Sequence, residues 1–598
     1  MSFTLSTTLC CVLFLCVLLS LVNDAETYGD PVRNRKLMAD RTANQEGFDD
    51  NYSIPKQLFE AGEERRNLLY LYLESLEGAF FNEELFPGLL PNLKRLGAAH
   101  AHSFTEVNDV GDFTMGGMVA SQCGIRLLTP LGAENFMDRV GSYLPAAKCI
   151  GDLLKASGYK MEYIGGAPKE FAGKNKFLGA HGFSSVKGAA EGRRPGEAGH
   201  MWGRYDDVML DDVYDRYTQL VAWGEPFGLF SLTVDTHAPA GSKSPRCGSL
   251  TYGDGKNPML NAVHCTDKLV SEFITKIRSH SGFENTLLVV GSDHPMHRNT
   301  ADAVLAKVPK GKRMLSLFVY DGKNSEGKVI RTPGTTVDIG ATITSYLTNE
   351  RVVEFGLGRS LRDDKTPSLL ATLVENADNE KFRTRLGQWR SSFMQFWSFP
   401  KSVSVGFTLN GNVVKMENAD FKLPVLFELD STDQIVNIML VNEQGIQDKL
   451  MKSDKPMLAI DTCSKIGRGL HGAYCYLYRT NEGQLRSGSI GVGQHVSIPP
   501  PPQQVTVPPA RVPRHPVPQP QAYIPRRTLR PPPRLPEQHR HALQHKILLD
   551  RAQAIHERKE FMRRERIRRR LASSAHRQRM LRHRAQAGTP RTPSRHPH

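Results

Sequence analysis

Four short polar pieces of this chain could do chemistry together. Glu74 stands directly after an apolar run, Leu68-Leu69-Tyr70-Leu71-Tyr72-Leu73. Asp235-Thr236-His237 follows the run that begins at Phe227, and Asp293-His294 follows the run from Thr286 to Gly291. The fourth piece, Gly111-Asp112-Phe113-Thr114-Met115-Gly116-Gly117, precedes an expected helix start. Carboxylates and imidazoles that converge suit a divalent cation with oxygen and nitrogen ligands. A hydroxyl beside that cation is a candidate nucleophile, because coordination lowers the pKa of an otherwise weak alcohol. A helix N-terminus behind Thr114 would offer backbone N–H groups to a phosphate. Each piece alone has a plainer reading as a helix cap, a surface charge or a turn residue. Only a fold that gathers them makes a site.

The elements around these pieces are of the kind that gathers them. Leu68–Leu73, Met161–Ile164, Phe227–Leu232, Thr286–Val290 and Leu315–Val319 are short, nearly continuous apolar runs, as expected of strands covered on both faces. Helical stretches are expected between them at Leu89–His100, Ile150–Ser157 and Ala262–Ser279. Such alternation predicts an α/β fold, a mainly parallel central sheet with helices on both faces. In that architecture chemistry collects beyond the carboxyl ends of the strands, where all the polar pieces except the Thr114 loop lie. From about residue 396 shorter alternating runs, such as Val403–Thr408, Leu423–Leu429 and Tyr474–Tyr478, predict a small β-rich domain. The expected organisation is a leader at 1–25, a polar lead-in at 26–65, a catalytic domain at 66–395, the β-rich domain at 396–490 and a tail at 491–598.

Charge separates the tail from the rest. Residues 497–598 hold 23 Lys+Arg against 5 Asp+Glu, a balance of +18 in a chain whose total is +15, so the remainder nets −3. The tail opens proline-rich to Pro536 and continues with arginine-rich helix formers. This composition suits polyproline II or disorder followed by a basic helix. Such an arm would contact a membrane surface or another polyanion, in preference to nucleic acid. At the other end, the apolar run Cys10–Val22 is short for a bilayer span and fits the core of a secretory signal cleaved near Ala25, although no Lys or Arg precedes it. The expected location is therefore periplasmic or extracellular, with a membrane anchor if the leader stays on. Six cysteines remain beyond the leader. Pairing between neighbours, Cys123–Cys149, Cys247–Cys265 and Cys463–Cys475, closes a short loop within each region; six buried thiols is the alternative. None has zinc-module spacing.

The motifs themselves carry a resemblance. Glu74-Ser75-Leu76-Glu77-Gly78 after its strand, Pro87–Leu93, the long segment Phe113-Thr114-Met115-Gly116-Gly117-Met118-Val119-Ala120-Ser121-Gln122-Cys123-Gly124-Ile125, and Gly291-Ser292-Asp293-His294 resemble the sulfatase-like phosphoglycerol transferases of the alkaline phosphatase superfamily. The resemblance runs from about residue 60 to 485. It implies that Glu74, Thr114, Asp293 and His294 hold a divalent metal, with manganese favoured over magnesium, zinc or calcium, and that Thr114 is also the nucleophile. It further implies that His237 binds substrate near the leaving group and that Lys174 stands where relatives carry a phosphate-binding arginine. As a point charge, Lys174 lacks the arginine's bidentate fork. Trp202, Arg204 and Asp207, in Met201-Trp202-Gly203-Arg204-Tyr205-Asp206-Asp207, fall on another family segment and are substrate-binding candidates there. The implied reaction moves a glycerol phosphate from an anionic glycerophospholipid to a glycan hydroxyl through a phosphothreonine ester. A sulfatase would show Cys or Ser in a C/S-x-P-x-R context, and Met115-Gly116-Gly117 follow Thr114 instead. Two other readings remain open: a phosphodiesterase or sulfuric ester hydrolase using water, and a secreted scaffold acting through its basic tail.

Overall fold

The structure, a computed structural model, describes residues 47–129, 137–309, 313–324, 326–362, 367–375, 379–440, 455–466 and 471–498. The expected leader, the first part of the lead-in and the tail from residue 499 lie outside the described residues; residues 491–498, expected to open the tail, instead carry the strand His495–Val496.

The main sheet has eleven short segments to consider in and around it: β1 (Asn67–Leu73), β2 (His102–Asn108), β3 (Lys160–Gly165), β4 (Ser185–Lys187), the separate hairpin β5 (Gly199–His200) and β6 (Gly203–Arg204), then β7 (Phe227–Leu232), β8 (Thr286–Ser292), β9 (Leu315–Asp321), β10 (Lys328–Ile330) and β11 (Gly334–Thr335). Their order is β10-β2-β9-β8-β1-β7-β3-β4, with β11 also on β2. The pairings are parallel except for β9, which runs antiparallel to both β8 and β2. The sheet is thus mainly parallel, as expected. β9 departs because, among the described residues, the only regular element between it and β8 is the single helical turn Asp302–Leu305, too short for the crossover that a parallel neighbour needs.

Strand alternation explains why both faces are covered. Leu68, Tyr70 and Tyr72 of β1 join a core with Met115, Met118 and Val119 of α2 (Thr114–Cys123), with α3 (Ile150–Ala156) and with α7 (Asp338–Leu347). Leu69, Leu71 and Leu73 join a second core with α1 (Pro91–His100), α5 (Asp206–Trp223) and α6 (Pro258–Arg278), while α4 (Lys174–Ala180) lies on the first side with Phe177 and Leu178. Successive β1 side chains therefore enter opposite layers, so the whole run must be apolar.

Beyond the main sheet, the strands Phe407–Asn410, Val413–Met416, Ala419–Lys422 and His495–Val496 form one antiparallel sheet, and Val425–Leu429, Ile435–Met439, Met457–Thr462, Tyr474–Arg479 and Leu485–Ile490 form another. The run expected to be a strand from Val403 begins only at Phe407, because Val403–Val405 is a 3-10 turn. This region shares the first core and adds a small cluster of its own around Leu426, Ala459 and the Cys463–Cys475 disulfide. Trp397 packs on Tyr143 with ring centres 4.9 Å apart, and Phe399 lies 5.5 Å from Phe421. The described part of the lead-in is also anchored, with Phe48 edge-on to Trp389 and Phe393 at 5.4 Å. Disulfides join Cys123–Cys149, Cys247–Cys265 and Cys463–Cys475, the neighbour pairing.

Candidate active site

The carboxyl ends of β1, β7 and β8 lie side by side, and each ends in one of the polar pieces. Glu74 follows β1 and is 2 % exposed. Its backbone is fixed from the β7 side: the Glu74 N–H donates to Thr233 Oγ1 at 2.9 Å, and Thr236 Oγ1 donates to the Glu74 carbonyl at 2.5 Å. Asp293 follows β8, and its Oδ1 accepts the N–H groups of Ser75 and His294, both at 2.8 Å. Ser75 adopts φ 55°, the left-handed region that an ordinary residue enters only when its surroundings hold it. That turn aims its N–H at Asp293, while Ser75 Oγ donates to Glu74 Oε1 at 2.7 Å.

Thr114 opens α2 as its first helical residue, with Phe113 extended at the cap. Two glycines let that helix end pack closely, Gly117 against the β8 loop and Gly116 against the loop before the helix. A Cβ on Gly117 would lie 1.9 Å from the Asp293 carbonyl oxygen, and one on Gly116 would lie 1.7 Å from the Gly111 carbonyl oxygen. The Gly-Gly after the threonine is therefore the contact surface on which the nucleophile helix rests. Asp109 shapes the loop before it by accepting from the Gly111 and Asp112 N–H groups at 2.8 and 2.9 Å.

In this arrangement the Thr114 hydroxyl donates to Glu74 Oε2 at 3.4 Å and lies 3.3 Å from His294 Nε2. His294 Nε2 is 3.5 Å from both Glu74 Oε1 and Asp293 Oδ2. Its Nδ1 lies 2.8 Å from the Pro295 carbonyl oxygen. A carbonyl can only accept, so Nδ1 carries a proton and Nε2 faces the cluster. Glu74, Asp293 and His294 offer ligand atoms all within 4.8 Å of one another. Asp293 Oδ2 is buried without a hydrogen-bond partner.

The electrostatics fit a cation. Burial, with the Glu74 charge added, pushes Asp293 up to about 7. Burial also opposes ionisation of Glu74, but His294, His237 and Lys174 outweigh it and hold Glu74 below its ordinary value. Burial alone would depress His294, yet Asp293 and Glu74 carry it up to about 9. Two buried carboxylates, one with an unpartnered oxygen, beside an imidazole nitrogen are a donor set suited to a hard divalent ion. A second cluster, Cys149, Asp152 and His181, is of another kind: Cys149 is in a disulfide, and Asp152 accepts the Cys149 N–H at 2.9 Å as a cap on α3 while touching His181 Nδ1 at 2.9 Å.

The remaining candidates divide. Lys174, at the start of α4, is 2 % exposed; burial brings its amine down to about 8 against the opposing pull of Glu74 and Asp293. Its Nζ donates to the Phe171 carbonyl at 3.2 Å. His237 follows β7, and Trp202 lies against it with ring centres 3.8 Å apart. Arg204 does not join them. Its guanidinium is fully buried and paired with Glu197 at 2.6 Å and Asp212 at 2.7 Å, so it secures the β5–β6 hairpin. Asp207 is also occupied, accepting the Arg246 N–H at 2.9 Å.

Several contributors were not singled out from sequence. Ser75, Thr233 and Thr236 hold Glu74 and Asp293 in place, and Asp206 accepts the Val234 and Asp235 N–H groups at 2.8 and 3.0 Å, fixing the turn that carries His237. His297, exposed, lies 4.7 Å from His294 ring to ring. Asp206 stands within the Trp202–Asp207 segment and His297 three residues beyond His294, so position in a motif was their only signal.

Residues 66–349 match the Sulfatase family model. The chain is 34 % identical over 435 residues to phosphoglycerol transferase I of Xanthomonas campestris pv. campestris (strain B100), covering 71 % of this chain and 60 % of that protein. It is 34 % identical over 450 residues to phosphoglycerol transferase I of Shigella flexneri, covering 72 % of this chain and 56 % of that one. The chain thus spans a little over half the length of these curated relatives. Among solved structures, the lipoteichoic acid synthase LtaP of Listeria monocytogenes is similar at 14 % identity and a TM-score of 0.46, over 59 % of this chain and 98 % of that one. The phosphoglycerol transferase GacH of Streptococcus pyogenes, solved with sn-glycerol-1-phosphate, is similar at 15 % identity and a TM-score of 0.37, over 60 % and 95 %.

Proposed function

We propose that this chain, whose residues 66–349 match the Sulfatase family model, is an exported phosphoglycerol transferase, moving a glycerol phosphate from an anionic glycerophospholipid to a glycan hydroxyl through an ester on Thr114. The observation that carries the reading is the Thr114 hydroxyl, set at a helix N-terminus 3.4 Å from Glu74 Oε2 and 3.3 Å from His294 Nε2. The similarity to phosphoglycerol transferase I supports the substrate class.

Glu74, Asp293 and His294, with Thr114, would hold the divalent metal, manganese by preference; bound there, it would acidify the threonine hydroxyl and withdraw charge from a phosphate oxygen. The chain's own groups supply the rest. Thr114, its hydroxyl proton first lost to solvent, bonds through Oγ to phosphorus as the bond from phosphorus to the lipid alcohol oxygen breaks. His237 has one ring nitrogen 2.8 Å from the Ala238 carbonyl oxygen, which leaves Nε2 to protonate the departing alkoxide. The buried Lys174 and the first-turn N–H groups of α2 offset the negative charge that the phosphoryl oxygens carry. In the second half, the acceptor hydroxyl gives its proton to His237 and bonds to phosphorus while the bond to Thr114 Oγ breaks. The three disulfides support an oxidising compartment, periplasmic or extracellular.

The test is turnover of phosphatidylglycerol labelled in its headgroup, with and without a glycan acceptor. The wild type should pass label to the glycan, and quenched protein should carry a glycerophosphoryl group on the peptide containing Thr114. Thr114→Ala should lose both while keeping the fold. Equal activity in Thr114→Ala refutes the nucleophile, and release of free glycerol phosphate regardless of glycan makes the enzyme a phosphodiesterase.

A further inference from the structure

Most large apolar side chains at this site are buried, but the rim beside His237 is an exception. Met201 is 80 % exposed and Phe171 is 39 % exposed. They flank Trp202: Phe171 meets it edge-on at 6.4 Å, and Trp202 in turn covers His237 at 3.8 Å. Met201 and Trp202 are the two turn residues of the β5–β6 hairpin, in which His200 pairs with Gly203.

This tip is held firmly, so its exposure is not that of a loose loop. The Trp202 N–H donates to His200 Nδ1 at 3.3 Å, and His200 Nε2 lies 3.2 Å from Asp235 Oδ1, two residues before His237. Buried Arg204 pins the other strand of the hairpin to Glu197 and Asp212. Arg193, exposed, lies along the hairpin and donates to the Gly203 carbonyl at 3.3 Å, which puts a positive charge next to the apolar tip.

We infer that Met201 and Phe171, with Arg193 behind them, form a lip that rests in the interface of an anionic lipid bilayer while the active site takes a headgroup. The inference builds on the proposed donor. A diacyl lipid presents only its headgroup at the water boundary, so an enzyme acting on the phosphodiester must bring its catalytic rim to that boundary. Apolar side chains that enter the headgroup region beside a cation are the combination that binds such a surface. A glycan acceptor fits this lip less well. The most exposed group of the lip, Met201, is an aliphatic thioether with no ring face on which a sugar could stack.

The test reads contact without turnover. In the full chain, Met201→Cys is labelled with an environment-sensitive dye, and so, separately, is Glu225→Cys. Glu225 is exposed two residues before β7, at the opposite end of that strand from His237. With vesicles of phosphatidylglycerol and phosphatidylcholine, emission at 201 should move to shorter wavelength, and a quencher on the lipid chains should reduce it at least about twofold more than at 225. Equal responses at both positions overturn the inference, whether the protein sediments with vesicles through its basic tail or fails to bind. A response at 201 to soluble glycan alone also overturns it and assigns the lip to the acceptor. Lipid quenching at 201 in a protein that transfers no glycerol phosphate would keep the surface and remove only the proposed reaction.

Discussion

The substitution Gly117→Ala puts the construction of this site under its sharpest strain. The added methyl would sit 1.9 Å from the Asp293 carbonyl oxygen, and both the oxygen and the helix are backbone. Carbon and oxygen settle at roughly 3.3 Å or more, so α2 and the β8 loop must part by about 1.4 Å. Thr114 rides on the first and His294 on the second, and their 3.3 Å contact would open toward about 4.5 Å, out of hydrogen-bond range. A misplacement of this size costs about 100-fold in turnover. Overpacking of a tight contact adds a loss of about 1–3 kcal/mol in stability. Gly179→Ala is the matched control, since nothing lies within 4 Å of the added carbon there. The assay is initial rate on the labelled donor, with thermal melting and bound metal measured on the same preparations. If Gly117→Ala turned over within about threefold of Gly179→Ala, the glycine contact would not be what sets the nucleophile, and the reasoning would fail.

Three other outcomes follow from the same geometry. Asp293→Asn should lower bound divalent metal on purified protein and abolish turnover, and chelation of the wild type should do the same reversibly on readdition of manganese; full activity after exhaustive chelation would refute a metal role. Arg204→Ala leaves Glu197 and Asp212 facing each other without the guanidinium, a loss of about 3 kcal/mol. It should therefore lower the melting temperature with donor KM little changed in the surviving folded protein, whereas a large KM effect at unchanged stability would return Arg204 to the substrate. Asp338 is pushed up to about 6 by burial, so the folded state keeps a proton that the unfolded chain gives up nearer pH 4. Its stabilising contribution is complete below about pH 4 and is lost as pH rises to about 6, by about 3 kcal/mol. Asp338→Asn should flatten the melting temperature between those pH values relative to wild type, and an unchanged slope would contradict the assignment.

The strands were legible because both their faces are buried. β1, β7 and β8 are continuous apolar runs for that reason, and their positions agree with expectation to within a residue or two. β2, His102–Asn108, was not read, because its side chains are mixed in burial and no apolar run marks it. α5 and α7 were missed for different reasons. Asp206–Trp223 carries six acidic or basic residues among its apolar ones, and Asp338–Leu347 is buried along its whole length with Asp338, Thr342, Thr344 and Ser345 among its apolar residues, so neither shows a simple stripe. At the site, the residues that would touch the metal lay in motifs, but what aims them was not legible, even where the aiming residue, Ser75 or Thr236, lay inside one. Ser75, Thr233 and Thr236 act through single hydrogen bonds between segments more than 150 residues apart, a relation with no local pattern. Arg204 shows the converse. It sits in a motif two residues from Trp202, yet Glu197 and Asp212 hold its guanidinium in the interior, away from the rim that Trp202 lines.

The nucleophile's placement depends on what holds α2 at both ends. At the amino end, Gly116 and Gly117 leave no room for the helix to approach further. At the carboxyl end, Cys123 is joined to Cys149, the residue that caps α3, which ties two helices on one face of the sheet. Between these ends, the Tyr72 hydroxyl of β1 bonds with Ser121 Oγ at 2.8 Å and accepts from Gln122 Nε2 at 3.2 Å. β1 is also the strand that ends in Glu74, two residues beyond Tyr72. The hydroxyl and its carboxylate partner are therefore referenced to one strand through two routes, the helix packing and the chain itself. Because both routes end on β1, a shift of the strand moves Thr114 and Glu74 together and preserves their spacing. A change between the helix and the β8 loop, as at Gly117, acts on the other partner and parts Thr114 from His294.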